Sequence, residues 1–238
     1  MRAVLFDLFE TLVSHFDPEW KPPARTRAER LGVDERLWEQ HWRELEKRWE
    51  SGEIPGYETA LTRVCDAAGV RADPHALAGL RRDYEAITAV AFVAPDPAIE
   101  ALLSGLRARG LRLALVSNAT DLDAAPWPGF GLARHFDAVL FSHDVRLMKP
   151  DPRIYTLACR RLGVRPEEAV FVGDGGSDEL RGAEEAGIRA LWASWFLDRW
   201  PAGLEPNGFP GGEWRRKCSG EGAPYPRLAR PADLLALL

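Results

Sequence analysis

The sequence predicts an α/β protein in which a doubly wound parallel sheet carries an inserted block of helices. First, short apolar segments alternate with helical segments throughout the second half of the chain, as parallel sheets require. Second, the first apolar segment, Ala-Val-Leu-Phe at residues 3–6, suits a strand that is buried on both faces. Third, residues 24–96 show helical patterns and no convincing strand.

Five strands are predicted from apolar runs that end at Gly, Pro, Ser or Asp, at residues 3–6, 111–116, 138–141, 169–172 and 189–193. Helices are predicted between them and at the end of the chain, at residues 98–109, 153–162, 179–186 and 231–238. In a sheet of this kind, ligands bind beyond the carboxyl ends of the strands.

The inserted helical block cannot lie inside a parallel sheet, so we expect it to stand over the strand ends as a cap. The predicted domains are an α/β core of residues 1–13 and 97–238 and a helical cap of residues 14–96, which begins with an aromatic, proline-bearing linker at residues 14–23. Trp38, Trp42 and Trp49 recur at helical spacing, which favours the core of the cap over contact with a substrate.

Residues 195–228 form a long excursion rich in aromatic residues, Gly and Pro. It is too long for a simple connection in a compact domain. We expect an ordered surface segment packed by its own aromatic side chains, with a lid or a subunit contact as the alternative.

The composition is that of an ordinary globular protein: 46% of the 238 residues are hydrophobic and 28% are charged. A net charge of −5 disfavours nucleic-acid binding, while a local basic site remains compatible with a small anionic substrate. We expect no membrane span and no signal peptide, because no apolar run is long enough and the first strand begins at once. The three scattered cysteines suit reduced thiols in a cytoplasm. We also expect a monomer or a homodimer.

Four polar residues lie at or just after the ends of predicted strands: Asp7, Ser117, Lys149 and Asp174. Because the carboxyl ends of parallel strands share one edge of the sheet, these residues should converge on one site. Each has an ordinary explanation when taken singly, as a turn former, a helix cap or a surface lysine. Their common position favours a functional site.

These residues also carry a family resemblance. The chain has four ordered motifs: Phe-Asp-Leu-Phe-Glu-Thr-Leu at residues 6–12, Ser117 after a strand, Lys149 before Pro150, and Gly173-Asp174 followed by Asp178. They resemble the four motifs of the haloacid dehalogenase superfamily, whose phosphatase members read Asp-x-Asp-Gly-Thr in the first motif. Two positions depart from that pattern, with Phe9 in place of the second Asp and Glu10 in place of Gly.

The resemblance implies that Asp7 is the nucleophile, since a carboxylate can attack phosphorus or a carbon that bears a leaving group. Lys149 would supply positive charge to the substrate and keep Asp7 ionised. Ser117 and Asn118 would donate to substrate oxygens, and Thr11 would orient the loop or bond to Asp7.

The resemblance also implies a magnesium ion held by Asp7, Asp174, water and the backbone carbonyl of Phe9. Asp178 would bind a water on the metal or pair with Lys149. A hard cation relieves the repulsion that neighbouring carboxylates would otherwise suffer.

Phe9, which would line the substrate site, bears on the reaction type. The residue it replaces protonates the leaving group, and such assistance is worth about 10²–10⁴-fold. The favoured function is a magnesium-dependent phosphatase acting on a small phosphorylated metabolite through an aspartyl-phosphate at Asp7, slowed by the missing acid. An L-2-haloacid dehalogenase is the first alternative, since those enzymes carry an aromatic residue there and halide needs no proton to depart. A phosphate-binding or interaction protein without turnover is the second.

Overall fold

The computed structural model describes residues 1–16, 23–199 and 213–238. At its centre lies a sheet whose neighbouring strands are all parallel, in the order β3-β2-β1-β4-β5-β6. The strands are β1 (Ala3–Phe6), β2 (Arg112–Ser117), β3 (Ala138–Phe141), β4 (Ala169–Gly173), β5 (Arg189–Ala193) and β6 (Arg227–Leu228). Strand β1 is therefore enclosed, and its last residue Phe6 lies opposite Leu115 of β2 and Val172 of β4.

Helices connect the strands, and the described part of the sequence between β1 and β2 contains five of them. The insertion contains α1 (Arg27–Leu31), α2 (Glu35–Glu50), α3 (Tyr57–Ala67) and α4 (Pro74–Val90), and α5 (Pro97–Ala108) leads into β2. The remaining helices are α6 (Asp121–Ala124), α7 (Ser142–Val145), α8 (Pro152–Leu162), α9 (Glu179–Glu185), α10 (Glu213–Gly222) and α11 (Pro231–Leu237). Over the described ranges, none of these helices combines the length and the apolar character needed to cross a bilayer.

Alternate residues of β1 face two separate apolar clusters, as the pleat of a strand dictates. Val4 and Phe6 lie in one cluster with Ile99 of α5, whereas Leu5 lies in the other with Tyr155 of α8. Helices thus cover both faces of the sheet, and the doubly wound fold predicted from the sequence is confirmed. This packing explains why the strands are apolar at every position rather than at alternate ones.

The helical insertion has an apolar cluster of its own, in which Trp38, Trp42 and Trp49 are buried on one face of α2. The rings of Trp38 and Trp42 stack with centroids 4.9 Å apart, and those of Trp49 and Tyr57 stack at 4.8 Å. Aromatic pairs at such distances add to the free energy gained from burial. These tryptophans are therefore packing residues, as their spacing predicts.

The carboxyl end of α2 is attached to the edge of the sheet. The hydroxyl of Ser142, directly after β3, donates to the carbonyl of Glu50 at 2.6 Å. The indole N–H of Trp49 donates to the carboxylate of Asp121, which opens α6 after β2. Both contacts lie past the carboxyl ends of strands, so the insertion is held beside the edge where the site residues converge.

The excursion at residues 195–228 differs from the surface segment expected. Trp195 is buried in the main core, where its indole N–H donates to the carbonyl of Thr11 at 2.9 Å. Strand β6 extends the sheet, and α10 packs beside the turn after β4. Trp200, Phe209 and the side chain of Trp214 lie outside the described residues, as do positions 17–22 of the expected linker.

Candidate active site

Asp7 lies at the middle of the carboxyl edge of the sheet. It follows β1 directly, and its backbone N–H donates to the carbonyl of Val172 at 3.0 Å, which continues the pairing with β4 by one residue. Its side chain is buried. Ser117 is the last residue of β2 and Asp174 the first after β4, so both flank Asp7 in the sheet order.

The ammonium group of Lys149 lies between two buried carboxylates, donating to Asp7 on one side and to Glu179 on the other. The exposed fraction of the Lys149 side chain is 3%. Burial alone would lower the pKa of Lys149, but the charges of Asp7 and Glu179 outweigh it and raise that pKa above its usual range. Lys149 is therefore a permanently charged partner of Asp7.

Asn118 holds the backbone of Lys149 in place. Its side-chain N–H₂ donates to the Lys149 carbonyl at 3.0 Å, and its side-chain oxygen accepts from the Lys149 N–H at 2.8 Å. The sequence predicts that Asn118 binds substrate. In the structure its amide bonds to Lys149, so it links the end of β2 to the lysine, and its contact with substrate stays a prediction.

Asp174 is buried directly after β4 and is fixed through both carboxylate oxygens. Oδ1 accepts from the N–H of Gly176 at 2.8 Å, and Oδ2 accepts from the thiol of Cys218 at 3.2 Å. Burial, reinforced by the charge of Asp7, raises the pKa of Asp174 to about 6. Cys218 lies 44 residues further along the chain, and nothing in the sequence indicates this contact.

Glu179, rather than Asp178, is the second acid of this turn that reaches the site. The Asp178 carboxylate is 44% exposed and accepts from Nε of Arg181 at 2.7 Å. The prediction that Asp178 pairs with Lys149 is therefore wrong, since Glu179 makes that pair, while a role of Asp178 toward a water on the metal stays a prediction. The physical reason is that Ser177 and Asp178 both have left-handed backbones, with φ of 59° and 55°. Two such residues reverse the chain direction, and each costs about 1–3 kcal/mol.

A sequence signal for Glu179 exists in its position on α9. It shares the buried face of that helix with Gly182 and Ala183, three and four residues on. A carboxylate on the buried face of an amphipathic helix needs a partner, because an unpaired buried charge is very costly. That pattern could have singled out Glu179.

Three buried carboxylates, those of Asp7, Asp174 and Glu179, present oxygen atoms that all lie within 4.8 Å of one another. Lys149 compensates one of the three charges. Burial and the charge of Asp7 raise the pKa of Glu179 well above its usual range, which reflects the remaining imbalance. Clustered carboxylate oxygens are the ligands that Mg²⁺ prefers, so this donor set fits a hard divalent cation.

Phe9 places an aromatic ring where a second acid would otherwise follow Asp7. Its ring stacks on that of His15 with centroids 4.2 Å apart and meets the edge of Phe92 at 6.2 Å. It is half-buried. The ring can neither donate nor accept a proton, so general acid chemistry is absent at this position.

Glu10 does not substitute for the missing acid. Its carboxylate accepts from the hydroxyl of Ser14 at 2.6 Å and from the N–H of His15 at 2.8 Å. Its backbone is left-handed, with φ of 58°, which bends the loop after Phe9. Burial raises the pKa of Glu10 to about 8. Its carboxyl group therefore stabilises the loop after β1 through its hydrogen bonds to Ser14 and His15.

Replacing Glu10 with Gln should change how stability depends on pH. The carboxyl ionises near pH 4.5 in the unfolded chain and near pH 8 in the folded one, so the folded state binds the extra proton between those values. The free energy of unfolding should therefore fall as pH rises through this window. Glu10→Gln should remove that part of the fall and be the more stable protein at pH 8, by on the order of a few kcal/mol. Urea denaturation at pH 5, 6.5 and 8 tests this, and parallel curves for the two proteins would contradict it.

The hydroxyls of Thr11 and Ser117 make few hydrogen bonds within the protein. Within the described residues, the Thr11 hydroxyl oxygen is buried without a hydrogen-bond partner, so the expected bond to Asp7 is not present. The Ser117 hydroxyl makes one long contact, 3.4 Å to the carbonyl of Asn118. Buried polar groups normally have partners, so both hydroxyls have capacity for a ligand.

A cavity of about 470 Å³ lies beside Asn118 and Lys149 and supplies room for a small molecule. Residues of both the insertion and the core line the cavity, among them Lys47, Glu50, Asn118, Arg146 and Lys149. Burial, followed by the charge of Asp123, raises the pKa of Glu50 to about 7. The cavity is thus bordered by cations and by an acid that titrates near neutrality.

In this α/β fold a carboxylate that can act as a nucleophile lies beside a buried lysine. The fold and this site together indicate that the protein is a hydrolase. The chain belongs to the haloacid dehalogenase-like hydrolase family, whose family model matches residues 1–187. The family resemblance inferred from the four motifs is therefore confirmed.

Among curated relatives, the glyceraldehyde 3-phosphate phosphatase of Methanopyrus kandleri is 32% identical over 197 residues, covering 79% of this chain and 82% of that protein. The (S)-2-haloacid dehalogenase 4A of Burkholderia cepacia is 30% identical over 201 residues, covering 80% of this chain and 82% of that protein. The phosphoserine phosphatase of Thermus thermophilus is 48% identical over 111 residues, which span 46% of this chain and 42% of that relative. A solved 2-haloacid dehalogenase from Pseudomonas syringae pv. Tomato DC3000 shares the fold with a TM-score of 0.63 at 24% identity, over 100% of this chain and 97% of that one.

Proposed function

We propose that this hydrolase is a magnesium-dependent phosphatase that acts on a small phosphorylated metabolite through an aspartyl-phosphate at Asp7. The observation that carries the proposal is the group of three buried carboxylates with one ammonium. A divalent cation would bind oxygens of Asp7, Asp174 and Glu179 together and offset the negative charge that Lys149 leaves uncompensated. The two phosphatases among the relatives described above support the same reading.

In this mechanism Asp7 attacks phosphorus, and the bond from phosphorus to the leaving oxygen breaks as the aspartyl-phosphate forms. The departing alkoxide takes its proton from water, because Phe9 has none to give. The ammonium of Lys149 donates to Asp7 and offsets charge on the phosphoryl oxygens. The hydroxyls of Ser117 and Thr11 donate to those oxygens. Water then attacks phosphorus and releases inorganic phosphate and free Asp7.

The metal would be held by Asp7, Asp174 and Glu179, with the backbone carbonyl of Phe9 as a further proposed ligand. A bound Mg²⁺ supplies positive charge that lets the anionic substrate approach the carboxylates and stabilises the charge of the transition state. Glu179 takes the place that the sequence gives to Asp178.

The dehalogenase alternative rests on Phe9. Phe9, two residues after Asp7, forms an aromatic cluster with Phe92 and His15, and such a cluster suits an apolar haloalkyl group. Halide leaves without a proton, so the missing acid would cost that reaction nothing. The Burkholderia cepacia relative acts in this class by its name.

One assay series separates these functions. Phosphate release from p-nitrophenyl phosphate should require Mg²⁺ and stop when the metal is chelated. Halide release from 2-chloropropionate without metal would replace the phosphatase by the dehalogenase. Binding of phosphate and Mg²⁺ without either release would indicate a binding protein that has lost turnover.

Phe9→Asp should increase the phosphatase rate, because it restores a proton donor two residues after the nucleophile. The expected gain in kcat on alkyl phosphates is about 10²-fold, within the range of general acid catalysis. The gain should be small on p-nitrophenyl phosphate, whose leaving group needs no proton. Phe9→Asn, which is polar and similar in size to Asp but does not transfer protons, is the matched control. Equal rates for the two variants on alkyl phosphates would refute the explanation.

A further inference from the structure

Helix α10 lies beside the turn that carries two of the three site carboxylates. Cys218 on this helix is fully buried, and its thiol donates to Oδ2 of Asp174 at 3.2 Å. The other oxygen of Asp174 is held by the N–H of Gly176. Between them, these two donors fix the orientation of the carboxylate plane.

The backbones of the turn and the helix touch directly. A Cβ atom on Gly175 would lie 2.8 Å from the carbonyl oxygen of Cys218, and Gly175 has φ of 90°. On the other side, Trp192 of β5 donates its indole N–H to the carbonyl of Asp174 at 2.9 Å and packs closely against Gly222 of α10. The turn is therefore enclosed between α10 and Trp192.

A second side chain of α10 holds the far end of the same turn. The carboxylate of Glu221 accepts from the backbone N–H of Asp178 at 2.7 Å. Ser177 and Asp178 are the two left-handed residues that aim Glu179 inward. Strained backbone persists where neighbouring groups hold it, and Glu221 is such a group.

Helix α10 lies at residues 213–222, beyond the 1–187 matched by the family model. We propose that α10 is a positioning element for the metal site, in which Cys218 orients Asp174 and Glu221 holds the turn that presents Glu179. The inference rests on the proposed function, because it assigns the orientation of these acids to cation binding. Groups that orient metal ligands typically affect metal affinity by about 10–100-fold when they are removed.

The test is isothermal titration of Mg²⁺ into the full chain and its variants. Cys218→Ala should weaken the Mg²⁺ Kd about ten-fold, whereas Cys218→Ser retains a donor and should stay within about three-fold of wild type. Glu221→Ala should weaken it similarly, and Glu221→Gln, which keeps an acceptor oxygen, should not. Glu221 is partly exposed, so this second pair remains informative if Cys218→Ala folds poorly.

Cys159→Ala is the matched control, because Cys159 is equally buried but lies in the apolar cluster around α8. It should lower stability and leave the Kd unchanged. Wild-type affinity in both Cys218→Ala and Glu221→Ala would overturn the positioning role while leaving the proposed function intact. If the wild-type chain binds no Mg²⁺, the proposed function and this inference both fail.

Discussion

Asp7→Asn is expected to abolish turnover, with kcat reduced by about 10⁴-fold or more, the scale seen when a covalent nucleophile is removed. The amide cannot form the acyl-phosphate, and its oxygen still accepts from Lys149, so the fold should persist. Phosphate release at saturating Mg²⁺ measures the loss, and circular dichroism verifies that the variant is folded. Residual activity within ten-fold of wild type would show that Asp7 is not the nucleophile.

Asp178→Asn is the matched control for this result. Asp178 lies between Asp174 and Glu179 in the sequence, but its carboxylate is half-exposed and pairs with Arg181. Exposed ion pairs contribute little, about 0–1 kcal/mol, so stability should barely change. Activity should also remain near that of wild type. A large loss of activity would return Asp178 to the metal site in place of Glu179.

Lys149→Met should give the largest loss of stability. It removes the ammonium between Asp7 and Glu179 and leaves buried carboxylates without a countercharge. Breaking a buried pair in this way costs about 3–5 kcal/mol. Urea denaturation at pH 7 measures the effect, and turnover should be lost as well because the positive charge beside Asp7 is gone.

The pH dependence of this variant distinguishes electrostatics from packing. Without Lys149 the carboxylates gain stability by binding protons in the folded state, so the deficit should shrink as pH falls toward 5 and widen as it rises. Added Mg²⁺ should restore part of the stability. Lys47→Met, an exposed lysine that borders the same cavity, should change stability by less than about 0.5 kcal/mol. A deficit that does not vary with pH would attribute the loss to packing.

Most of the sheet was predictable because its strands are short, wholly apolar and bounded by turn residues. Strand β1 has the predicted bounds, and β2 to β5 agree within one residue. Strand β6 was missed because Arg227–Leu228 contains no apolar run. Its pairing with β5 depends on the folded arrangement of the chain and leaves no local sequence pattern. The burial of Trp195 was missed for the same reason: an aromatic residue in a Gly- and Pro-rich segment gives no periodicity to interpret.

The site was predictable where it depends on strand ends. Asp7 and Asp174 converge because parallel strands finish at one edge, whereas Lys149 follows β3 only after α7 and is held there by Asn118. The choice between Asp178 and Glu179 depends on two consecutive left-handed residues, neither of them glycine, which sequence propensity does not foresee. The contact of Cys218 joins segments 44 residues apart and carries no local signature.

The two outermost strands of the sheet have a consequence for self-association. Exposed strand edges can recruit another chain by backbone pairing, and short or covered edges prevent it. Here the borders are the four-residue β3 and the two-residue β6. Arg161 donates to the carbonyl of Val139 on β3 at 2.8 Å, and Arg227 on β6 forms an ion pair with Asp198 at 2.6 Å. Within the described residues both borders are short and one carbonyl of β3 already has a side-chain partner, so we expect any dimer of the folded chain to form through helices or loops.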